Sequence, residues 1–354
     1  MNITKTLSVA LPLIVLPLLA FASREDKVSF SPAEGATVSK ELSLEATFYV
    51  DDLNVVVDGQ ELPAEMLGAA MEEGMMVTAL VGVTDDYVKT REGRQSVLHR
   101  TYDELTLEAG PESEPESVDD FAELEDSTVA FVWDGEADEY IKSFHESEGN
   151  EDVLENLEVD MDFLALLPDG EVSEGDTWEV SGDDLGNIFF PGGMPADLGG
   201  GEDENAEEIT ELVEEAMEEQ MAEAFGDFAI TCTYAGSRDE DGVNVGVITF
   251  KFESEASLDL SDVIQSVIDL QAGEQGLEVS LTATIGLEME GEGTLLWNLR
   301  GSHVQGFEMS TDVTTFMDME GEMDMAGQSH SMELSAEISG EAAWELVVKG
   351  GDDE

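Results

Sequence analysis

Residues 277–289 read LEVSLTATIGLEM, and the reading of this stretch decides the fold. Leu277, Val279, Leu281, Ala283, Ile285, Leu287 and Met289 are apolar, and Glu278, Ser280, Thr282, Thr284 and Glu288 stand between them. A period of two places one side chain in two on the same side of an extended backbone, so this is a long strand with a single buried face. The pattern continues downstream in Leu295, Trp297 and Leu299, then on odd positions from Phe307 to Met319, then on even positions through Met332, Leu334, Ala336, Ile338, Ala342, Trp344 and Leu346. Short connections containing glycine join these runs, which predicts an antiparallel meander over 227–350. Strands of this length accumulate right-handed twist and must curl around something.

Working outward, residues 23–110 form an N-terminal β-rich region, with Leu53, Val55 and Val57 before the turn Asp58-Gly59 and an apolar strand from Met75 to Val83. Residues 111–120 are rich in Pro, Glu and Ser and read as an acidic linker. A second β-rich segment spans 121–190. Over 191–226 a Gly-rich loop leads into an amphipathic helix, with Ile209, Leu212, Val213, Ala216, Met217, Met221 and Ala224 forming one stripe. Such a stripe calls for a packing partner, and a sheet of the same chain is the expected one. A shorter helix is expected from Ser261, as N-cap, to Leu270. The expected class is mainly β with minor α, an α+β fold of curved antiparallel sheet with a packed amphipathic helix.

The first 22 residues read as a secretory signal peptide: an apolar run from Val9 to Ala20 ends in the small-residue pattern Ala20, Phe21, Ala22. Pro12 and Pro17 interrupt the run, which falls short of the roughly 20 apolar residues of a spanning helix. Cleavage after Ala22 would leave an exported chain, periplasmic or secreted and soluble. Alternating strands also build outer-membrane barrels, but carboxylates load the polar face and aromatic girdles are missing, so no stable membrane insertion is expected.

The chain carries 84 acidic against 13 basic residues, a formal charge of -71. Nucleic acid and anionic membrane surfaces are excluded as partners, because both are bound through Lys and Arg. Self-repulsion opposes a compact state unless salt screens it. Cys232 is the only cysteine; it alternates with Phe228, Ile230 and Tyr234, so a buried, inert thiol is expected.

Catalytic signatures do not emerge. The four histidines lack zinc spacing, no Gly-x-Ser-x-Gly elbow is present, and the glycine clusters run into acids that repel phosphate. Asp239 and Asp241, before Gly242, offer hard oxygens for calcium, but a hairpin turn explains them better. Met317, Met319, Met323 and Met325, with His330 beyond them, present soft ligands suited to Cu(I). Flexible methionines filling a core under a curved sheet account for the same pattern, and that explanation is preferred. No cofactor is expected, with divalent cations the one ionic ligand that the carboxylates could accept.

Three stretches carry a resemblance. Asp85, Tyr87 and Val88 with Gly93, Arg94, Arg100 and Tyr102; the run from Leu166, Leu167, Pro168 to Gly175, Asp176, Thr177, Trp178; and the sheet around Trp297 resemble uncharacterised exported proteins of planctomycete-type bacteria. More distantly, the Gly-Asp-x-Trp element looks like an extracytoplasmic domain of unknown function with a curved sheet similar to lipoprotein carriers. The resemblance implies location and fold and brings no catalytic residues. The expected function is therefore an exported, non-catalytic binding or interaction module holding an apolar ligand on its sheet, with an apolar small molecule or another envelope protein as partner. The alternative is an acidic cell-envelope structural protein that binds divalent cations. Oligomeric state cannot be read from the sequence.

Overall fold

The computed structural model describes residues 25–62, 74–91, 93–118, 124–182, 185–193, 220, 228–272, 278–325 and 328–349. The chain begins with β1 (Asp26–Lys27), β2 (Ala36–Val57), β3 (Gln60–Glu61), β4 (Met75–Arg91) and β5 (Arg94–Pro111). Short strands β6 (Glu116–Ser117), β7 (Thr128–Asp134), β8 (Glu139–Phe144), β9 (Glu171–Val172) and β10 (Thr177–Ser181) follow, then the helix α1 (Leu185–Phe189). The C-terminal part holds β11 (Ala229–Glu240), β12 (Val243–Asp259), α2 (Ser261–Ala272), β13 (Glu278–Asn298), β14 (His303–Met325) and β15 (Gln328–Lys349).

Among the described residues one sheet of 13 strands runs in the order β10-β11-β12-β13-β14-β15-β2-β4-β5-β7-β8, with β3 on β2 and β6 on β5. The meander expected over 227–350 is its centre. The N-terminal strands form no sheet of their own: β15 pairs with β2 from Met332 opposite Val57 to Lys349 opposite Ser39. The expected linker also folds back, with Glu116 and Ser117 opposite Ala109 and Glu108 of β5.

Register explains why the sheet holds together. Phe250, Gly293, Met309, Trp344, Leu44, Ala79 and Leu107 are successive partners across seven strands, so one apolar face passes unbroken from β12 to β5. Gly291 and Gly293 belong to this face because the rings of Phe252 and Phe250 lie across them, where a Cβ would overlap the rings. Ala283, Met317 and Met319 extend the same face at the other end of the strands.

Strands β8 and β10 stand at opposite ends of the path although they are consecutive long-sheet strands in the chain. The connector between them, 145–176, crosses the apolar face and buries Leu154, Leu157, Met161, Phe163 and Leu166. Phe163 stacks on Phe307 at 3.8 Å between ring centroids, and Trp178 donates its indole N–H to the Leu166 carbonyl at 3.2 Å. The Gly-Asp-x-Trp element is thus a structural joint: Gly175 turns at φ 94°, and Asp176 accepts the Ser173 N–H at 2.8 Å. Cys232 is fully buried, and burial raises its thiol to about 12.

The fold class expected from sequence is corrected. Among the described residues strand accounts for 69% and helix for 8%, an essentially all-β fold of large antiparallel sheet with short, isolated helices. Among the described residues irregular connector lies on the apolar face beside the short helices α1 and α2. The stripe Ile209–Ala224 lies outside the described residues apart from Gln220, whose side-chain oxygen accepts the Asp259 N–H at 3.2 Å. In α2 the first helical bond runs from Ile264 to the Leu260 carbonyl at 2.9 Å, so Leu260 takes the cap position; the Ser261 hydroxyl instead accepts from Ala283 of β13 at 3.1 Å.

The opposite face carries the acids. Glu253, Glu290, Asp312 and Glu341 are exposed and sit directly opposite one another across four neighbouring strands. Like charges so placed are destabilising, by about 0.2–1 kcal/mol per pair. Glu290→Gln is therefore expected to raise the thermal midpoint at low ionic strength, with the gain shrinking as sodium chloride is added, while the midpoint of the unaltered protein rises. Melts of both chains across a salt series check this, and a midpoint that stays flat would show that the acidic face is under no repulsive strain.

Candidate functional site

The apolar face holds charges where β2, β4 and β5 lie side by side. Lys40, Val83 and Tyr102 form one cross-strand row, and Val38, Asp85 and Arg100 the next. These positions have the parity of the core, so Lys40, Asp85 and Arg100 are buried as firmly as Leu98 and Val83. Connector residue Asp162 comes down onto them and is also fully buried.

Lys40 is fully matched, and Arg100 makes four hydrogen bonds. Lys40 Nζ lies 2.9 Å from Asp85 Oδ2, 3.0 Å from Asp162 Oδ2 and 3.0 Å from the Tyr87 hydroxyl, which accounts for its three N–H groups. The Tyr87 hydroxyl donates onward to Asp162 at 2.8 Å. Arg100 grips Asp85 through Nε at 2.7 Å and Nη2 at 3.0 Å, the paired geometry that a planar guanidinium favours. Its Nη1 and Nη2 also donate to the carbonyls of Glu158 and Val159, each at 3.0 Å. Two cations thus face two carboxylates. Burial alone would raise the Asp85 carboxyl, but Arg100 and Lys40 outweigh it and hold the group at about 2. Burial pushes the Tyr87 hydroxyl well above its ordinary value, reinforced by Asp162 and Asp85.

The cluster positions a second feature. Once Arg100 has fixed Glu158 and Val159, the Glu158 N–H donates to Gly192 at 2.8 Å, and the Gly192 N–H donates to Asp160 at 2.7 Å. Gly192 and Gly193 have φ of 83° and 76°, and a Cβ on Gly193 would collide with the backbone of 156–158, so the approach requires glycine. Phe189, Phe190 and Pro191 are thereby laid over the sheet. The Trp344 indole donates to the Phe189 carbonyl at 2.9 Å, and the Phe189 ring meets Trp344 edge-on at 5.4 Å.

Beneath this roof lies a cleft of about 70 Å³, floored by Leu42, Leu44, Ala79, Val81, Leu105 and Leu107 and walled by Trp344. Past it the apolar face runs on through Phe48, Val77, Leu287 and Met289, all only partly buried.

The residues singled out from sequence lie elsewhere. Asp239 accepts the Gly242 N–H at 3.1 Å in the β11–β12 turn, where Asp241 has φ 49°. Met317 faces Ile285 and Ala336, and Met319 faces Ala283 and Leu334, both among apolar neighbours. Met323 and Met325 pair through their backbones with His330 and Gln328, and their side chains lie outside the described residues. His330 Nδ1 contacts Asp58 Oδ2 at 2.8 Å. Among the described residues no three His, Cys, Asp or Glu side chains are grouped to hold a metal ion. Sequence reasoning missed the roles of Lys40 and Asp162 and used Asp85, Tyr87 and Arg100 only as marks of resemblance.

No family model matches the chain, and no curated protein matches it. Among solved structures it is similar to the outer membrane protein OprG from Pseudomonas aeruginosa, at 7% identity and TM-score 0.18 over 88% of this chain and 97% of that one. A mutant Rh. blastica porin follows at 11% identity and TM-score 0.15, over 89% of this chain and 100% of that one. Pseudomonas putida OprB has 9% identity and TM-score 0.14, over 88% and 94% of the two chains. Likenesses of this size carry no functional argument. The expectation of a chain without stable membrane insertion is withdrawn; OprG is an outer membrane protein. No described helix is long and apolar enough to cross a membrane, which says nothing about crossing with strands.

Two predictions follow from the charges. The partly buried Asp160 accepts N–H bonds from Asp162 and Leu164 at 2.7 and 2.8 Å, yet burial and the neighbouring Asp162 raise it to about 6. A raised carboxyl destabilises the fold while ionised, so stability should increase as pH falls through 6; Asp85, held low, contributes stability that is lost as pH falls from about 4 through 2. Thermal midpoints should peak between these limits, and Asp160→Asn should flatten the limb between pH 7 and 5. Arg100→Leu should cost about 3–5 kcal/mol in denaturant unfolding by leaving Asp85 and Asp162 to share Lys40 as their one cation, and Arg100→Lys should recover only part of it, since a single ammonium cannot replace the fork.

Proposed function

We propose that this protein is an exported, non-catalytic binding module, acting in the cell envelope or outside the cell, that holds an apolar ligand on the apolar face of its curved sheet. The cleft under Phe189–Pro191 is the observation that carries this reading. Its lining is apolar side chain from two strand pairs and a roof loop, with Thr106 the one hydroxyl. Sites for small molecules are concave, mostly apolar and built on rigid elements, and this cleft rests on the centre of the sheet.

At about 70 Å³ the cleft takes the end of a chain rather than a whole lipid. The remainder would lie along Phe48, Val77, Leu287 and Met289, which are only partly buried. A non-catalytic role is supported by the state of the ionisable groups nearest the roof. Lys40, Asp85, Arg100 and Asp162 have side chains with 0% exposure and are bonded to one another, so none is presented to a ligand.

Titration with N-phenyl-1-naphthylamine, an apolar dye that brightens out of water, tests the reading. Enhanced emission with saturation is expected, and Ala79→Phe, which fills the cleft, should abolish most of it while leaving the thermal midpoint within a few degrees. Ala79→Leu serves as the milder variant should the larger ring disturb folding. Emission that does not rise, or that is indifferent to both substitutions, would end this proposal.

A further inference from the structure

We infer that the occupant of the cleft is an uncharged chain-like molecule and that anionic amphiphiles are excluded, an inference that rests on the binding role proposed above. An anionic headgroup needs a cation, and the apolar face has none to give. Its two cations among the described residues are Lys40 and Arg100, both at 0% side-chain exposure. Lys40 is committed to Asp85, Asp162 and Tyr87, and Arg100 to Asp85 and two connector carbonyls. Withdrawing either to meet a ligand would leave two buried carboxylates, Asp85 and Asp162, with a single cation, which is strongly unfavourable.

Five other described cations are held away from the cleft. Arg94 stacks over Trp133 at 4.2 Å, Arg238 pairs with Glu240 at 2.7 Å, and Lys349 pairs with Glu41. Lys142 donates to the Glu155 carbonyl at 2.6 Å, and Lys251 lies on the acidic face opposite Glu292. Among the described residues no ionisable side chain lines the cleft. Around it the chain has a formal charge of -71, whose field opposes the approach of any anion at low ionic strength.

Displacement of bound N-phenyl-1-naphthylamine by 1-dodecanol and by dodecanoate, at pH 8 and low micromolar concentration, separates headgroup from chain. The alcohol should displace the dye at least tenfold more effectively than the carboxylate in low salt, and the ratio should narrow as sodium chloride is raised. Dodecanoate matching the alcohol in low salt would overturn the inference while the binding role stands. Failure of both to displace a dye that does bind would also overturn it, because the cleft would then refuse chains. A dye that does not bind at all instead removes the binding role itself.

Discussion

Keeping Lys40 and Arg100 paired inside an apolar face is the constraint on which the rest of this structure depends. A cation in such a place is tolerated only with a carboxylate and satisfied hydrogen bonds around it. Asp85 supplies one carboxylate from within the sheet and Asp162 the other from the connector, so the connector cannot leave without stripping Lys40 of one of its two carboxylates. Arg100 adds a second hold through the Glu158 and Val159 carbonyls. Hydrophobic contact is non-directional and could seat this irregular segment in several ways. Ionic and forked hydrogen bonds have direction, and they select one.

From that single seating the remaining features follow in order. The connector spans the distance between β8 and β10, the two ends of the strand path, and places Phe163 flat on Phe307. Its 157–160 stretch then receives Gly192 and Gly193, which fix the roof over Leu44 and Ala79. An apolar cleft in the middle of a sheet is thus set by a charge cluster that itself meets no solvent.

The meander was legible in the sequence because one face of each strand is uniformly apolar and the other uniformly polar, from Leu277 to Leu346. What could not be read was how far the sheet extends. The pairing of β15 with β2 joins residues almost three hundred positions apart, and nothing local in either strand announces its partner. The class was misjudged for a related reason: an apolar face can be covered by loop as well as by helix, and the periodicity of the sheet does not say which. The charge cluster did leave a trace. Lys40 stands between Val38 and Leu42, Asp85 between Val83 and Tyr87, and Arg100 between Leu98 and Tyr102, each at a position where alternation calls for an apolar side chain. Three charges of both signs violating parity in adjacent strands is a signal of a buried network. Asp162 has no such mark, since its loop has no periodicity to break.

The two faces of the sheet solve opposite electrostatic problems, and the division between them is what lets an acidic chain build an apolar site. On the outer face carboxylates oppose carboxylates, at a cost that water and salt reduce because the groups are exposed. On the inner face no such screening exists, so Lys40, Arg100, Asp85 and Asp162 are matched within bonding distance. Cations are scarce in this chain, with 13 for 84 acids, and two of them are placed where they cannot neutralise the surface at all. Had they been left outside, they would each have offset one carboxylate among dozens. Placed inside, they fix the connector, and through it the roof of the cleft, while the unpaired acids outside keep ions of their own sign away from its mouth.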